Sequence, residues 1–284
     1  TLLKGQKEQG GNSKMLIVGE LINTSRKAIK AAVEAKDAAY IQQIAKEQAE
    51  AGADYIDVNC GTQFGKEVET MEWLVETICE VVKDKPLCID SPDATALDAG
   101  LTLVKKLQPN FQPMINSINA EQERYKEVLP LVTKHDAKIT ALLMDDTGIP
   151  DSAEKRLAVA DFLYKGLTAE GVKDENIYFD PLIQPISVNA EFGVQVLDTV
   201  KGLTEKYPKC HKMCGLSNIS FGLPNRKILN SFFVAQTMVV GMDGFIVNPC
   251  DKLMMGTVAA GSALVGKDDY CMGYLTASRN GLYD

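Results

Sequence analysis

The feature that most constrains the fold of this chain is an alternation, repeated eight times, of a short apolar segment and a longer segment of helical character. The apolar segments are rich in β-branched and aromatic residues, as expected for strands buried on both faces. The eight predicted strands are residues 15–20, 55–59, 86–90, 113–116, 139–144, 176–180, 212–217 and 244–247. Eight such units favour a single closed (β/α)8 TIM barrel over an open doubly wound sheet. The first turn, residues 19–23, also lacks the GxGxxG motif of dinucleotide-binding sheets.

The segments between the strands have helical composition, and one of them begins at a capping residue, Ser152. The predicted helices are residues 26–51, 68–82, 94–106, 121–134, one that begins after a Ser152 cap, 227–240 and 251–263. The stretch before Met15 is polar and glycine-rich and has no periodicity. We therefore interpret residues 1–14 as a leader or an expression remnant, and residues 15–284 as one barrel domain.

Composition limits the classes of partner. At 284 residues and 45% hydrophobic content, the chain can bury the core of one full-sized barrel. A net charge of -8 disfavours binding to nucleic acid or to an anionic membrane, because both select for clustered Lys and Arg. No apolar run approaches the roughly 18 residues that span a bilayer. Seven cysteines, an odd number scattered along the chain, indicate reduced thiols, and a cytoplasmic location is expected.

Polar residues follow the predicted strands at their carboxyl ends, which is the end where parallel barrels bind ligands. The sixth strand stops at Asp180 because a proline follows it directly. The predicted ring consists of Glu20, Asn23, Asp57, Asn59, Asp90, Asn116, Asn119, Asp145, Asp146, Asp180, Asn218 and Asn248. Each residue alone is compatible with a loop or a helix cap, but so many together favour a binding site. Carboxylates and carboxamides suit a neutral heterocycle that is rich in N–H and C=O groups.

The positions of the histidines, lysines and cysteines limit the types of reaction that the site could catalyse. The two histidines, His135 and His211, are expected at the amino-terminal face, which disfavours a histidine-rich catalytic metal site. Lys212 begins its strand, so it is not placed to form a Schiff base. Mg²⁺ bound by the acidic ring stays open as an alternative. Cys210, His211 and Cys214 are a weak zinc signal, and buried core thiols are the simpler interpretation.

Eight motifs together resemble one known family. They are MLIVGELIN, GADYIDVNCG, MEWLVETICEVV, LCIDS, MINSINAE, DDTGIP, FDPLIQP and GLSNISFGLPNR, and they extend from Met15 to about Cys271. In this order they resemble the methyltetrahydrofolate–corrinoid protein methyltransferases. The pterin-binding TIM barrel of that family is shared with dihydropteroate synthase and with the folate module of cobalamin-dependent methionine synthase.

The resemblance implies a reaction and a set of site residues. Asp90 and Asp180 match the family's pterin-binding carboxylates, and Asn116 matches a pterin-binding amide. Asn218 matches the catalytic amide beside pterin N5, which carries the methyl group, and Arg226 matches an arginine near the folate. The implied substrate is tetrahydrofolate or 5-methyltetrahydrofolate, and the methyl partner is a corrinoid carried by another protein. Family members of this type are homodimers that bind no metal themselves.

The chain departs from the family pattern at two places. Leu21 stands where family members have an arginine, and Asp145 with Asp146 replaces an Asn-Lys pair. The extra acidity at the rim leaves open which corrinoid protein is the partner, for instance one in methylamine-type or O-methyl demethylation rather than in acetyl-CoA synthesis. The direction of transfer is also open.

Two other functions remain as alternatives. A dihydropteroate synthase needs basic groups for a pyrophosphate, and the first loop, INTSRKAIK, lacks that enzyme's pattern. A non-catalytic folate-binding protein is the second alternative, which the matching Asn218 disfavours. For methyl transfer the barrel mouth must admit a corrinoid, and residues 215–227 are expected to form the gate.

Overall fold

The eight predicted strands form one closed parallel barrel in sequential order, so the predicted (β/α)8 architecture is confirmed in the computed structural model. The structure describes residues 14–283. The strands are β1 (Leu16–Asn23), β2 (Tyr55–Asn59), β3 (Leu87–Asp90), β4 (Met114–Ala120), β5 (Lys138–Asp145), β6 (Ile177–Asp180), β7 (His211–Gly215) and β8 (Gly244–Val247). Pairing of β1 with β8, in which Leu16 lies opposite Gly244, closes the barrel.

The predicted leader, residues 1–14, lies outside the described residues except for Lys14. The Lys14 ammonium contacts the Asp54 carboxylate at 2.6 Å. The assignment of this segment as a leader stays a prediction.

The strands differ from their predicted bounds mainly at the mouth of the barrel. β1 continues to Asn23, and its pairing with β2 shifts register between Gly19 and Ile22. β4 also runs on past Asn116, with two register shifts against β5. β6 ends at Asp180 as predicted, and all four of its residues are buried.

Ten α-helices surround the barrel in the described part of the chain. They are α1 (Lys27–Glu34), α2 (Ala38–Glu50), α3 (Glu67–Cys79), α4 (Ala94–Leu107), α5 (Gln122–His135), α6 (Ala153–Ala169), α7 (Glu191–Lys206), α8 (Arg226–Val239), α9 (Lys252–Leu264) and α10 (Met272–Arg279). Six agree with the predicted helices to within a few residues. α7 and α10 had no predicted bounds.

The prediction of a single helix over residues 26–51 is wrong, because the chain breaks between α1 and α2. Lys36 adopts a left-handed conformation with φ of 52°, and the N–H groups of Lys36 and Asp37 donate to the carbonyls of Val33 and Ala32. This pattern is the Schellman C-cap. Asp37 then caps α2 by accepting a hydrogen bond from the Tyr40 N–H at 3.1 Å.

Both histidines lie at the amino-terminal end of the barrel, as predicted. His135 is the last residue of α5, and its Nε2 lies 2.6 Å from Asp98. His211 is the first residue of β7, and its Nδ1 lies 2.8 Å from Asp243. Between residues 14 and 283 no helix has the length and apolar character needed to cross a membrane.

The main apolar core lies between the barrel and the helices, and it brings α3 and α4 close together over β3. Gly100 of α4 is buried at this crossing. A Cβ at position 100 would lie 2.7 Å from Met71 Cγ and 3.1 Å from Ile89 Cγ2. Ile89 directly precedes the candidate site residue Asp90, so this packing supports the site from behind.

We expect Gly100→Ala to lower the free energy of unfolding by about 1 to 3 kcal/mol, because the added methyl group overpacks the α3–α4 crossing. Gly193→Ala in α7 is the matched control, since the atom nearest to its Cβ would be Ile186 Cγ2 at 3.6 Å. That control should stabilise the protein by about 0.5 to 1 kcal/mol through helix propensity. Urea unfolding measures both, and equal effects of the two variants would contradict the packing argument.

Candidate active site

The register of β2, β3 and β4 aligns three polar side chains in one row at the mouth of the barrel. Asn59 pairs with Asp90, and Asp90 pairs with Asn116. Asn59 Nδ2 donates to Asp90 Oδ2 at 2.6 Å, and Asn116 Nδ2 lies 3.5 Å from the same oxygen. Asp57 lies one layer deeper, with its Oδ1 3.5 Å from Asn116 Nδ2. Two of the predicted pterin residues, Asp90 and Asn116, are therefore in contact.

The two carboxyl groups of this cluster influence each other. Burial and the neighbouring charge of Asp90 raise the pKa of Asp57 well above its ordinary value. Burial also raises the pKa of Asp90, against the hydrogen bond from Asn59 and the field of Arg124, which lower it. The negative charge of Asp90 therefore disfavours ionisation of the deeper Asp57. Asp90, the shallower of the two carboxyl groups, faces the mouth.

Arg124 holds the loops around this cluster, a role that the sequence analysis missed. Its Nε donates to the Ser117 carbonyl at 2.9 Å, and its Nη1 and Nη2 donate to the carbonyls of Pro92 and Ser91 at 2.7 and 2.9 Å. One guanidinium thus connects the loop after β3 to the strand β4. Nothing in the spacing of these residues could have shown this connection, which depends on the barrel register.

Asp180 lies on the other side of the mouth, because β6 is three strands away from β3. Its side chain is 6% exposed. Burial raises the pKa of Asp180 to about 7, although hydrogen bonds from the backbone N–H groups of Leu182 and Gly215 and the field of Arg156 all lower it. The Leu182 N–H donates to Oδ1 at 2.8 Å. The carboxyl group can therefore accept a further hydrogen bond from a ligand through its other oxygen.

Asn218 and Arg226 belong to one braced turn after β7. Asn218 is exposed on the short 3-10 helix Leu216–Ser220. Arg226, the first residue of α8, donates from Nη2 to the Ser217 carbonyl at 2.6 Å and from Nε to Ser220 Oγ at 3.0 Å. Both residues are at the mouth, as predicted, but the Arg226 guanidinium is committed to the turn that carries Asn218. The arrangement makes Arg226 a support for Asn218.

A second arginine lies at the rim. Arg26, from the loop after β1, contacts Glu20 through Nη2 at 2.8 Å. Burial raises the pKa of Glu20, while Arg26 and the more distant Arg226 lower it. Glu20 is therefore ion-paired with Arg26, and Arg226 acts on it only through its electrostatic field.

The side chains of several members of the predicted ring stabilise turns by hydrogen bonds to backbone N–H groups. The side-chain oxygens of six ring residues accept hydrogen bonds from N–H groups two residues further along the chain, at 2.8 to 3.0 Å. Two of the six, Asn59 and Asp180, belong to the site described above, and the other four are Asn23, Asn119, Asp145 and Asn248. Asp146 accepts from the Gln122 N–H at 3.2 Å. Asn23, Asn119, Asp145, Asn248 and Asp146 therefore make the contacts expected of loop and cap residues.

The thiols of the weak zinc signal are buried, Cys210 at 2% exposure and Cys214 at 0%. All seven cysteines are unpaired, and five of them are buried. Within residues 14–283 no three His, Cys, Asp or Glu side chains are arranged to hold a metal ion.

Comparison with known proteins identifies the family to which a barrel with this site belongs. The profile of the pterin-binding enzyme family matches residues 19–248, and the chain belongs to this family. Among named relatives, the methylcorrinoid:tetrahydrofolate methyltransferase of Eubacterium limosum is 37% identical over 269 residues, covering 94% of this chain and 97% of that protein. Methionine synthase of Mycobacterium tuberculosis is 29% identical over 261 residues, which are 87% of this chain and 21% of the longer enzyme.

Solved structures agree on the fold. Dihydropteroate synthase from Yersinia pestis superposes with a TM-score of 0.65 at 17% identity, covering 90% of this chain and 94% of that chain. The Xanthomonas albilineans dihydropteroate synthase complexed with 7,8-dihydropteroate gives a TM-score of 0.65 at 17% identity, over 89% and 94% of the two chains. At such low identity the likeness establishes the shared barrel alone.

The raised pKa of Asp57 predicts a pH-dependent stability difference. Between the ordinary pKa of an aspartate and the raised folded value, the native state binds the extra proton, so ionisation of Asp57 in the unfolded chain favours unfolding as pH rises. Asp57→Asn should therefore match the wild type near pH 4 and become more stable than it at neutral and higher pH. The gain is about 1.4 kcal/mol for each pKa unit that separates the folded from the unfolded value.

Urea unfolding of both proteins across this pH range checks the prediction. The exposed Asp84→Asn is the control, and its difference from the wild type should not vary in the same way. A constant difference between Asp57→Asn and the wild type at every pH would show that Asp57 is not held protonated in the fold.

Proposed function

We propose that the protein transfers a methyl group between N5 of tetrahydrofolate and the cobalt of a corrinoid bound by a partner protein. The observation that carries this proposal is the 37% identity with a methylcorrinoid:tetrahydrofolate methyltransferase over nearly the full length of both chains. The geometry supports it, because Asp90, Asn116 and Asp180 offer acceptors and a donor from two sides of one mouth. A pterin carries N–H groups on opposite edges that such acceptors can bind.

The rim charges disfavour the dihydropteroate synthase alternative. That reaction requires cationic groups free to hold a pyrophosphate. Here Arg226 donates to Ser217 and Ser220, and Arg26 is paired with Glu20. Methyl transfer has no such requirement.

The role proposed for Asn218 follows from the charge that develops at N5. As the methyl carbon bonds to Co(I), its bond to N5 breaks, the electron pair stays on N5, and N5 takes up a proton. Asn218 has no proton to give, but its amide can donate a hydrogen bond to N5 or orient a water there. Its exposure on the braced turn leaves it accessible both to the pterin and to a corrinoid that approaches the mouth.

The first experiment mixes the purified protein with 5-methyltetrahydrofolate and cob(I)alamin, since free cob(I)alamin and methylcobalamin differ in absorbance. Conversion to methylcobalamin is the expected result. A parallel reaction with dihydropterin pyrophosphate and p-aminobenzoate tests the synthase alternative. Formation of dihydropteroate without methyl transfer would overturn the proposal, and folate binding without either reaction would favour a non-catalytic folate-binding protein.

The homodimer implied by the resemblance and the cytoplasmic location expected from composition remain part of this proposal. Three large apolar side chains of α8, Ile228, Phe232 and Val239, are exposed. They are the candidate contacts of a second copy, since contiguous exposed apolar groups mark association surfaces.

Asp90→Ala and Asp180→Ala should each weaken 5-methyltetrahydrofolate binding about tenfold or more. Each change leaves a donor of the bound pterin without its acceptor, which costs roughly 1 to 3 kcal/mol. Asp84→Ala, an exposed carboxylate in the loop before β3, is the control and should leave affinity unchanged. Calorimetric titration measures the three constants, with circular dichroism to verify folding. Unchanged affinity in both site variants would remove these residues from the pterin site.

Asn218→Ala should lower turnover in both directions by on the order of 10² to 10³, with affinity for 5-methyltetrahydrofolate reduced less than turnover. The reason is that the amide hydrogen bond strengthens as the electron pair develops on N5. Asn110→Ala, in an exposed loop before β4, is the control. A variant whose entire loss lies in binding would make Asn218 a pterin-positioning amide and move proton delivery to Asp90 or to solvent.

A further inference from the structure

Asn59, the last residue of β2, makes the shortest hydrogen bond to Asp90 within residues 14–283, and the proposed function gives it no role. Its Nδ2 donates to Asp90 Oδ2 at 2.6 Å, whereas the Nδ2 of Asn116 lies 3.5 Å from the same oxygen. A hydrogen bond to a carboxylate is among the stronger ones in proteins. Asn59 is therefore the side chain that most strongly restrains this oxygen of Asp90.

The orientation of the Asn59 amide is fixed by its own turn. The Gly61 N–H donates to Asn59 Oδ1 at 2.9 Å. Because a backbone N–H only donates, the oxygen of the amide must face Gly61, and the NH2 group must face Asp90. The backbone of Asn59 is also held, since its carbonyl accepts a hydrogen bond from the Thr24 N–H at 3.0 Å. A restrained residue thus directs a donor at Asp90.

The other oxygen of Asp90 is left for a ligand. Oδ1 makes no hydrogen bond within the described part of the chain. Asp90 lines a cavity of about 720 Å³ at the mouth, together with Asn116, Ser117 and Arg124. With Oδ2 bound to Asn59, the carboxylate is hindered from rotating about its Cβ–Cγ bond. Oδ1 is then an acceptor whose position is set before a ligand binds.

The same contact favours the charged form of Asp90. Burial raises the pKa of Asp90 to about 6, against the hydrogen bond from Asn59 and, after it, the field of Arg124. The titratable groups that interact with Asp90 are Asp57, Cys60, Cys88 and Arg124. All four are retained when only Asn59 is changed. Removal of the Asn59 donor should therefore release the carboxylate and raise its pKa towards neutral pH.

We propose that Asn59 is a positioning residue of the pterin site, which binds Oδ2 of Asp90 so that Oδ1 is presented to the ligand as an acceptor. The inference rests on the proposed binding of a pterin at Asp90. A purely structural role would be to stabilise the turn at Gly61. That role needs only Oδ1 of Asn59, whereas positioning needs Nδ2, so the two roles belong to different atoms.

Asn59→Asp separates these atoms. The new side chain has nearly the same shape and keeps an oxygen for the Gly61 N–H, but it replaces the donor to Asp90 with a second acceptor. Asn59→Ala removes both contacts, and Asn110→Ala, in the exposed loop before β4, is the control. In the ligand-free protein, the carbon-13 resonance of the Asp90 carboxyl group reports its titration. Its loss in Asp90→Asn assigns it.

We expect both Asn59 variants to raise the pKa of Asp90 by about one unit or more, because each removes a donor and Asn59→Asp adds a like charge. Calorimetric titration at neutral pH should find 5-methyltetrahydrofolate bound about tenfold or more weakly by both, since hydrogen bonds to a charged acceptor are strong. The pH below which binding weakens should rise with the pKa, because protonated Asp90 loses its acceptor charge. Asn110→Ala should match the wild type in both measurements.

The decisive variant is Asn59→Asp. If it matches the wild type in either the Asp90 titration or the affinity, the inference is wrong, and an effect in Asn59→Ala alone would identify Asn59 as a turn residue. Should Asn59→Asp not fold, Asn59→Ser takes its place, because its hydroxyl group can accept from the Gly61 N–H but is too short to reach Asp90.

Failure of both variants to fold also overturns the inference, since Asn59 would then be a structural residue. If the wild type binds no 5-methyltetrahydrofolate, the proposed function fails. The carboxyl titration, which needs no ligand, then still decides whether Asn59 holds Asp90.

Discussion

The structure depends on the burial of three carboxyl groups, Asp57, Asp90 and Asp180, at the mouth of a barrel whose strands all end there. None of the three forms a salt bridge within the described chain. Each instead accepts hydrogen bonds, and burial raises the pKa of each one. The mouth therefore costs folding energy that an apolar mouth would not. A ligand that donates hydrogen bonds to these groups recovers part of that cost on binding.

Three arginines around this mouth, Arg26, Arg124 and Arg226, bind other groups of the protein. Arg124 joins the loops beside Asp90, Arg226 braces the turn of Asn218, and Arg26 neutralises Glu20. Rigid support of this kind keeps an amide aligned with a reacting atom to within a fraction of an ångström, which transition-state stabilisation by hydrogen bonds requires. The proposed chemistry thus relies on a side chain held by its neighbours rather than on a strong acid or base.

Sequence reasoning predicted the barrel and the position of Asp180 at the end of β6, because the strand pattern and the following proline are local signals. The break at Lys36 was missed, since lysine has no preference for the left-handed conformation that ends α1. The contact of Asn59 with Asp90 depends on register, and those residues are 31 positions apart. Arg124 lies on a helix whose composition gives no sign that its side chain reaches the mouth. The predicted ring correctly placed Asp90 at the mouth. It also included Asn23 and Asn248, whose side-chain oxygens accept hydrogen bonds within turns.

The distribution of the cysteines has a practical consequence. Five thiols are buried, and burial raises the pKa of Cys60 and Cys210 to about 12, so they present little thiolate to a reagent. The two exposed thiols lie at opposite ends of the molecule, Cys250 just after β8 at the mouth and Cys271 just before α10. Replacing Cys271 with serine leaves one accessible attachment point at the mouth. A fluorophore coupled there would report the arrival of a corrinoid directly, by energy transfer to its visible absorption bands.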